Sequence, residues 1–82
     1  MIIKYPLSTE QALGKMDSEN KLVFIVDRKA TKPEIKKEIE QLLQVKIQKV
    51  NTLIDQSGNK KAYVRFAPGT RAIDVATKLG MM

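Results

Sequence analysis

The chain has 82 residues, of which 43% are apolar and 29% charged, and its 15 Lys and Arg outweigh 9 Asp and Glu for a net charge of +6. This composition is typical of one small folded domain with a thin core, and we expect residues 1–82 to form a single unit. The chain has no His and no Cys, which excludes a Ser-His-Asp triad, a disulfide and a Cys/His zinc site.

The longest apolar run, Leu22 to Val26, is far too short to cross a membrane, and the N-terminal sequence lacks the pattern of a signal peptide. We therefore expect a cytoplasmic protein that binds no membrane. Its basic charge is uneven, because residues 1–20 hold two lysines against three acids, whereas both later thirds carry an excess of bases. A polarised basic charge favours a polyanion such as nucleic acid as the partner.

The N-terminal third predicts a short strand followed by a helix. Ile2 to Tyr5 is an apolar segment that can form a leading strand before Pro6. Ser8 or Thr9 can cap a helix that runs to about Asp17.

The next two elements are a buried strand and a well-capped helix. Leu22 to Val26 is β-branched and aromatic, which predicts a strand that is central or covered on both faces. Thr31 is the predicted N-cap, with Pro33 in the first turn and Glu34 completing a capping box. Four apolar residues then follow at helical spacing and predict one core-facing stripe: Ile35, Ile39, Leu42 and Leu43.

The C-terminal part predicts a hairpin and a final helix. In the strand Val45 to Asp55, alternation puts Val50 on the wrong face, so we expect a β-bulge near Gln48-Lys49. A turn at Gln56-Ser57-Gly58-Asn59 leads into the third strand, Lys60 to Ala67. Thr70 is the predicted cap of the last helix, and Gly80 its C-cap.

The predicted order is α-β-α-β-β-α, with a leading strand as a possible addition. The middle β-α-β unit is expected to be a right-handed crossover, and the hairpin makes the third strand antiparallel to the second. If the third strand lies between the other two, every neighbouring pair is antiparallel. The expected fold is α+β: a small two-layer sandwich with a mainly antiparallel sheet of three to four strands and helices packed on one face, a split β-α-β arrangement. The other sheet face is then open to solvent or to a partner.

The third strand carries the strongest functional pattern. Its alternation puts Lys61, Tyr63 and Arg65 on the face opposite the core. Lysine and arginine bind phosphate, and a tyrosine ring can stack on an unpaired base, so this face predicts RNA binding. The competing interpretation is a tyrosine that packs across strands between solvated charges.

Further polar residues add to the predicted RNA surface. A second basic group surrounds the predicted second helix, and within it we assign Lys37 to solvent. For Lys32 and Lys36 a solvated helix face with pairs inside the helix remains the alternative to RNA contact. The strands add bases and polar groups that can contact phosphate or ribose. The additional candidates are Arg28, Lys29, Lys32, Lys36, Lys46, Lys49, Asn51, Thr52 and Lys60.

Catalytic patterns are absent from the sequence. Glu34 and Glu38 share a helix face but read as solvated charges, and the four glycines are isolated, so they form no phosphate-binding loop. We therefore expect no enzyme activity, no small-molecule substrate, no metal and no cofactor.

The chain resembles the universal large-subunit ribosomal protein twenty-three family over nearly all of its length. The similarity is carried by the order and spacing of four segments: Pro6-Leu7-Ser8-Thr9-Glu10, LVFIVD, TKPEIKKEIEQLLQVKIQKVNTL and KKAYVRFA. The last of these resembles the family signature, with Phe66 where leucine is usual and an apolar residue at Val75. The short hairpin loop and the Lys-Leu-Gly-Met-Met ending are similar to archaeal members.

The resemblance implies a non-enzymatic component of the large ribosomal subunit. Members of the family bind the large-subunit rRNA beside the exit of the nascent-peptide tunnel and contact neighbouring ribosomal proteins. They also form part of a docking platform for signal recognition particle and chaperones. The acidic docking residue of bacterial members falls at Glu10, followed here by Gln11. Bacterial members have a long loop into the tunnel, where this chain has only about Gln56 to Asn59.

Two other classes of function compete with this one. A free single-stranded RNA-binding domain of RRM type is suggested by Ala62 to Phe66, which resembles part of the RNP1 pattern. Against it, Lys61 stands where RNP1 has an aromatic residue, and no fourth strand can follow the last helix. The third class is an adaptor that binds an acidic protein through its lysines.

Overall fold

The computed structural model describes residues 2–7, 14 and 19–79. In chain order the elements are β1 (Ile3–Pro6), β2 (Lys21–Val26), α1 (Lys32–Leu43), β3 (Ile47–Ile54), β4 (Lys60–Phe66) and α2 (Ala72–Lys78). The helix predicted from Ser8 or Thr9 to Asp17 lies outside the described residues, except for Gly14. The predicted C-cap Gly80 also lies outside them.

The four described strands form one sheet in the order β1-β2-β4-β3, and each neighbouring pair is antiparallel. β4 therefore lies between β2 and β3, an order that the sequence left open, and β1 adds a fourth strand beside β2. The apolar residues of α1 and α2 belong to one core cluster with the alternate β4 residues Ala62, Val64 and Phe66. Both helices thus pack on the same face of the sheet, and the predicted α+β fold is confirmed.

The predicted burial of the strand from Leu22 to Val26, which is β2, is confirmed on both of its faces. All five residues from Leu22 to Val26 are at most 3% exposed. Leu22, Phe24 and Val26 belong to the core cluster under the helices, whereas Val23 and Ile25 point to the opposite side. That opposite face is therefore not open at β2, and its exposed polar part lies on β3 and β4. The open surface is narrower than the sequence suggests.

The predicted β-bulge lies where the alternation requires it. The register between β3 and β4 shifts between Ile47 and Lys49, so that Ile47 pairs with Phe66 and Lys49 pairs with Arg65. The extra residue lets both Ile47 and Val50 reach the core, while Lys49 points away from it. β3 begins at Ile47 and not at Val45.

The capping box of α1 is formed as predicted. The Thr31 hydroxyl oxygen accepts a bond from the Glu34 N–H at 3.3 Å, and Glu34 Oε1 accepts one from the Thr31 N–H at 3.0 Å. The bonds that the Glu34 carboxylate accepts from the Thr31 N–H and from the Thr31 hydroxyl hold the pKa of this carboxyl below its usual value of 4.5. The predicted core stripe is wrong at Leu42, which is 51% exposed, because the buried stripe follows Ile35, Ile39 and Leu43.

The acidic residues of α1 attach the helix to both edges of the sheet. Glu38 Oε2 accepts a hydrogen bond from the Ile3 N–H at 2.8 Å, and Glu40 Oε2 accepts one from the Ile47 N–H at 3.1 Å. The interpretation of Glu38 as a solvated charge is therefore wrong. Ile3 lies on β1 and Ile47 opens β3, so one helix satisfies a backbone donor on each edge strand.

The predicted Thr70 cap of the last helix is also wrong. The N-cap of α2 is Arg71, whose side chain makes no capping bond. The Ala72 N–H instead donates to the side-chain oxygen of Asn20, and the Asn20 amide nitrogen donates to the carbonyls of Thr70 and Phe66. A residue from the start of β2 thus caps a helix at the other end of the chain.

Candidate nucleic-acid interface

The sheet register assembles a polar surface two strands wide. Three cross-strand pairs project from the face opposite the helices: Lys49 with Arg65, Asn51 with Tyr63, and Leu53 with Lys61. We call these six residues the β3–β4 strip. Directly paired residues have their Cβ atoms about 4.5–5.5 Å apart, so each pair forms one row across the strip. Five of the six are residues that the sequence predicts to bind RNA.

Charge is graded along the strip. At one end Lys49 and Arg65 are both exposed, and Arg65 also pairs with Lys21 on its other side. Lys21 lies 3.2 Å from Glu19, which offsets its charge. At the other end the Lys61 ammonium lies 4.0 Å from Asp55, beside Leu53, which is 55% exposed. The positive potential of the strip is therefore strongest at the Lys49–Arg65 row.

Like charges in a directly opposed pair destabilise a sheet. Lys49 and Arg65 hold this unfavourable arrangement on the exposed surface of β3 and β4. A phosphate group bound between the two side chains would convert the repulsion into two attractive contacts.

A second basic surface lies at the opposite end of the sheet. Four exposed bases from the β2–α1 loop and the first turns of α1 contribute to it: Arg28, Lys29, Lys32 and Lys36. The guanidinium of Arg28 lies beside Gly58 of the hairpin turn, with Nη1 3.9 Å from the point where a Cβ would stand. The loop and the hairpin turn therefore meet at this end.

The side chain of Asp55 stabilises the hairpin turn, a role that the sequence analysis did not predict. Asp55 Oδ1 accepts hydrogen bonds from the N–H groups of Ser57 at 2.9 Å and Asn59 at 3.0 Å. Gly58 has a φ of 86°, as the turn prediction requires. An aspartate two residues before Ser-Gly is the signal that identifies such a turn.

Three predicted RNA-binding residues belong to neither surface. Lys60 lies on the helix side of β4, where its ammonium donates to the Ala30 carbonyl at 2.5 Å. Thr52 pairs with Ala62 and so points to the same side. Lys46 is exposed just before β3, and its carbonyl accepts a bond from the Ala67 N–H at 3.1 Å. The predicted docking residue Glu10 lies outside the described residues.

Across residues 2–7, 14 and 19–79, no three His, Cys, Asp or Glu side chains lie close enough together to hold a metal ion. No helix in the same part of the chain has the length and apolar character to span a membrane.

The fold and the charge together define a small basic α+β domain with an exposed basic sheet surface. Residues 1–73 match the family model described as Ribosomal protein L23. The chain is also 52% identical over 81 residues to the large ribosomal subunit protein uL23 of Trypanosoma brucei brucei. The matched region covers 99% of this chain and 49% of that relative. The chain thus spans about half the length of the curated relative it matches.

The chain belongs to the ribosomal protein L23 family. This family is structural, so the prediction that the protein is not an enzyme is confirmed. The family match gives no support to a free RNA-binding domain of RRM type. The fourth strand of the described sheet is β1, which comes before β2 in the chain and lies beside it. It is not a strand that follows the last helix, which the RRM alternative would need.

Proposed function

We propose that this protein is a structural component of the large subunit of the cytoplasmic ribosome that binds large-subunit rRNA near the exit of the nascent-peptide tunnel. Membership of the ribosomal protein L23 family supports this proposal. The observation that carries the RNA-binding part is the opposed pair of exposed bases, Lys49 and Arg65, beside the aromatic ring of Tyr63. Proteins bind RNA through Lys and Arg side chains that contact phosphates and through aromatic rings that stack on unpaired nucleotides. The β3–β4 strip holds both kinds of residue.

The second basic surface extends the proposed contact with rRNA. Arg28, Lys29, Lys32 and Lys36 lie at the end of the sheet where β2 finishes, whereas the Lys49–Arg65 row lies towards the other end. Two separated basic surfaces suit a protein that bridges two segments of folded RNA.

The remaining partners are inferred from the family alone. We propose that neighbouring large-subunit proteins, and signal recognition particle or chaperones at the tunnel exit, contact parts of the protein that face away from rRNA, with Glu10 as the candidate docking residue. The compact turn between β3 and β4 suits an archaeal-type member, because Asp55 closes it over four residues. The turn is too short to extend into the tunnel, so we propose no tunnel role for it.

The test uses the full chain and large subunits stripped of their own copy of this protein. Wild-type protein should rebind and stay with the subunits through a high-salt wash. The double variant K49E/R65E should be lost in that wash, because it replaces two phosphate contacts by repulsion. A matched control, K37E/K78E, makes the same change in net charge at exposed helical positions and should rebind like wild type.

Three results would contradict the proposal. Wild-type protein that is washed off would point to a transient RNA binder or an adaptor. Equal loss of both double variants would indicate that only net charge matters. Retention of K49E/R65E would exclude the β3–β4 strip as the rRNA contact.

A further inference from the structure

We propose that two copies of the free protein pair through their β3 strands, antiparallel and with Thr52 opposite Thr52, so that their two described sheets join into one. The occupant of the outer edge of β3 is thus a second copy of this chain. The inference concerns the protein without RNA and does not depend on the proposed rRNA contact. It follows from the backbone groups, the apolar side chains and the charges along this edge.

The backbone of β3 offers hydrogen-bonding groups along its outer edge. Among the described residues β3 is the last strand of the sheet, and its strand neighbour is β4. The Asp55 N–H donates to the Asn59 carbonyl at 2.9 Å, and hydrogen-bonded pairs alternate along an antiparallel ladder. The N–H and C=O groups of Val50, Thr52 and Ile54 therefore point away from β4, towards the outer edge.

Helix α1 covers the start of each edge strand but not the rest of β3. Glu40 Oε2 accepts the outward N–H of Ile47 at 3.1 Å, and Glu38 Oε2 accepts the N–H of Ile3 on β1 at 2.8 Å. β1 then ends at Pro6, which has no N–H to offer. No side chain among the described residues makes such a bond to the later outward groups of β3. The β3 edge is therefore the one with backbone groups to share.

The sequence of this edge lacks the usual protection against pairing. Val50 to Ile54 contains no charged residue, glycine or proline, and the bulge of β3 lies before it. Four large apolar side chains are exposed among the described residues, and three of them lie on β3 or on the end of α1 beside it. They are Leu42 at 51%, Leu53 at 55% and Ile54 at 51%. An uncharged edge with exposed apolar side chains favours the addition of another strand.

The register follows from the limits of the regular part of β3. Val50 to Ile54 lies between the bulge and the hairpin turn, and Thr52 is its central residue. A two-fold axis at Thr52 sets all of these residues against the same residues of the second copy. Moving the axis by one residue in either direction carries one end of the pairing into the bulge or into the turn.

The side chains are complementary in this register. On the helix side Val50 of one copy lies opposite Ile54 of the other, which gives the exposed Ile54 an apolar neighbour. On the open side Lys49 lies opposite Asp55, a pair of opposite charges. The two-fold axis makes each contact occur twice. The Lys49–Asp55 pairs offset part of the repulsion between two chains that each carry a net charge of +6.

Sedimentation velocity of the full-length protein without RNA measures the pairing. A contact along one short strand edge is smaller than a standard interface, so we expect a weak dimer with a Kd of about 10–100 μM. The weight-average mass should rise from 9.3 kDa at about 1 μM towards twice that value at about 200 μM.

Two variants test whether the β3 edge makes the contact. Ile54→Lys places a charge on an exposed edge side chain, and Thr52→Pro removes the central outward N–H without removing a bond to β4. Each should weaken the dimer at least about tenfold. Tyr5→Lys is the matched control, because Tyr5 is also 51% exposed but lies on β1 at the other edge. It should dimerise like wild type. Circular dichroism confirms that each variant is folded.

Cross-linking tests the register, because the chain has no cysteine of its own. Thr52→Cys should be linked into dimers by a bismethanethiosulfonate reagent about 5 Å long, since directly paired residues have their Cβ atoms about 4.5–5.5 Å apart. Ser57→Cys is the control. Ser57 is exposed in the hairpin turn, and its two copies lie about 30 Å apart in this register, so the reagent should not link them.

Three results would overturn the proposal. A mass of 9.3 kDa at every concentration would leave the edge to a strand of a different protein. Wild-type dimerisation in both I54K and T52P would place the contact elsewhere. Linking of S57C as efficient as that of T52C would exclude the register. None of these measurements involves ribosomal subunits, so this proposal and the proposed function are tested separately.

Discussion

The side-chain oxygen of Asn20 accepts a hydrogen bond from the backbone N–H of Ala72 at 2.7 Å, across 52 positions of sequence. The amide nitrogen of the same side chain donates to the Thr70 carbonyl at 2.8 Å and to the Phe66 carbonyl at 3.3 Å. One asparagine therefore joins the start of β2, the end of β4 and the first turn of α2. Its φ of 56° is in the left-handed region, which asparagine tolerates better than most residues.

The Asn20 contacts predict a loss of stability when the side chain is removed. Asn20→Gly keeps the backbone conformation but loses all three hydrogen bonds and the cap of α2. We expect the free energy of unfolding to fall by about 2 kcal/mol, measured by urea denaturation. Asn20→Asp keeps the acceptor for Ala72 and loses the donor, so its stability should lie between those of Asn20→Gly and wild type. An Asn20→Gly protein as stable as wild type would show that the bonds contribute nothing.

The capping box of α1 gives a second prediction. Thr31→Ala removes the oxygen that accepts from the Glu34 N–H and should lower the free energy of unfolding by about 1 kcal/mol. Thr31→Ser keeps this oxygen and should change little. Thr77→Ala is the matched control, because Thr77 is an exposed helical threonine whose hydroxyl donates to the Ile73 carbonyl and caps no helix. Equal losses in Thr31→Ala and Thr77→Ala would count against a specific role of the cap.

Glu34 predicts a pH dependence of stability. Bonds from the Thr31 N–H and hydroxyl favour the ionised carboxylate, so the pKa of Glu34 in the folded chain is below 4.5. A depressed pKa stabilises the fold above the unfolded value and loses this effect as the pH falls through the folded value. The difference in unfolding free energy between wild type and Glu34→Gln should therefore be larger at pH 7 than at pH 3. Urea denaturation at the two pH values measures it, and an equal difference at both would contradict the prediction.

The salt dependence of RNA affinity distinguishes the Lys and Arg residues that contact RNA from those that do not. Lys49→Ala should reduce the slope of log affinity for an rRNA fragment against log salt by roughly 0.7 to 1, the effect of one lost phosphate contact. Lys60→Ala should leave the slope unchanged, because the Lys60 ammonium is held by the Ala30 carbonyl on the helix side. The measurement is a binding titration at several salt concentrations. A reduced slope for Lys60→Ala with an unchanged slope for Lys49→Ala would reverse the assignment.

Several features could be predicted from the sequence because their causes are local. The capping box depends on Thr31 and Glu34, three residues apart, and the turn depends on Gly58. The bulge follows from an alternation that fails between Ile47 and Val50, and the burial of β2 follows from an unbroken apolar run. The family resemblance likewise depends on the order of segments along the chain. Nothing in these inferences requires knowledge of which residues meet across the sheet.

The tertiary structure decided the contacts between residues distant in sequence. The register of β3 and β4 sets Lys49 opposite Arg65 and Asn51 opposite Tyr63, whereas the sequence places them only in separate groups of candidates. The same register turns Thr52 and Lys60 to the helix side. Sequence determined the elements, their caps and the basic character of the chain, because these depend on neighbouring residues. Only the fold decided which bases share a surface, because one residue of slip in a strand exchanges its two faces.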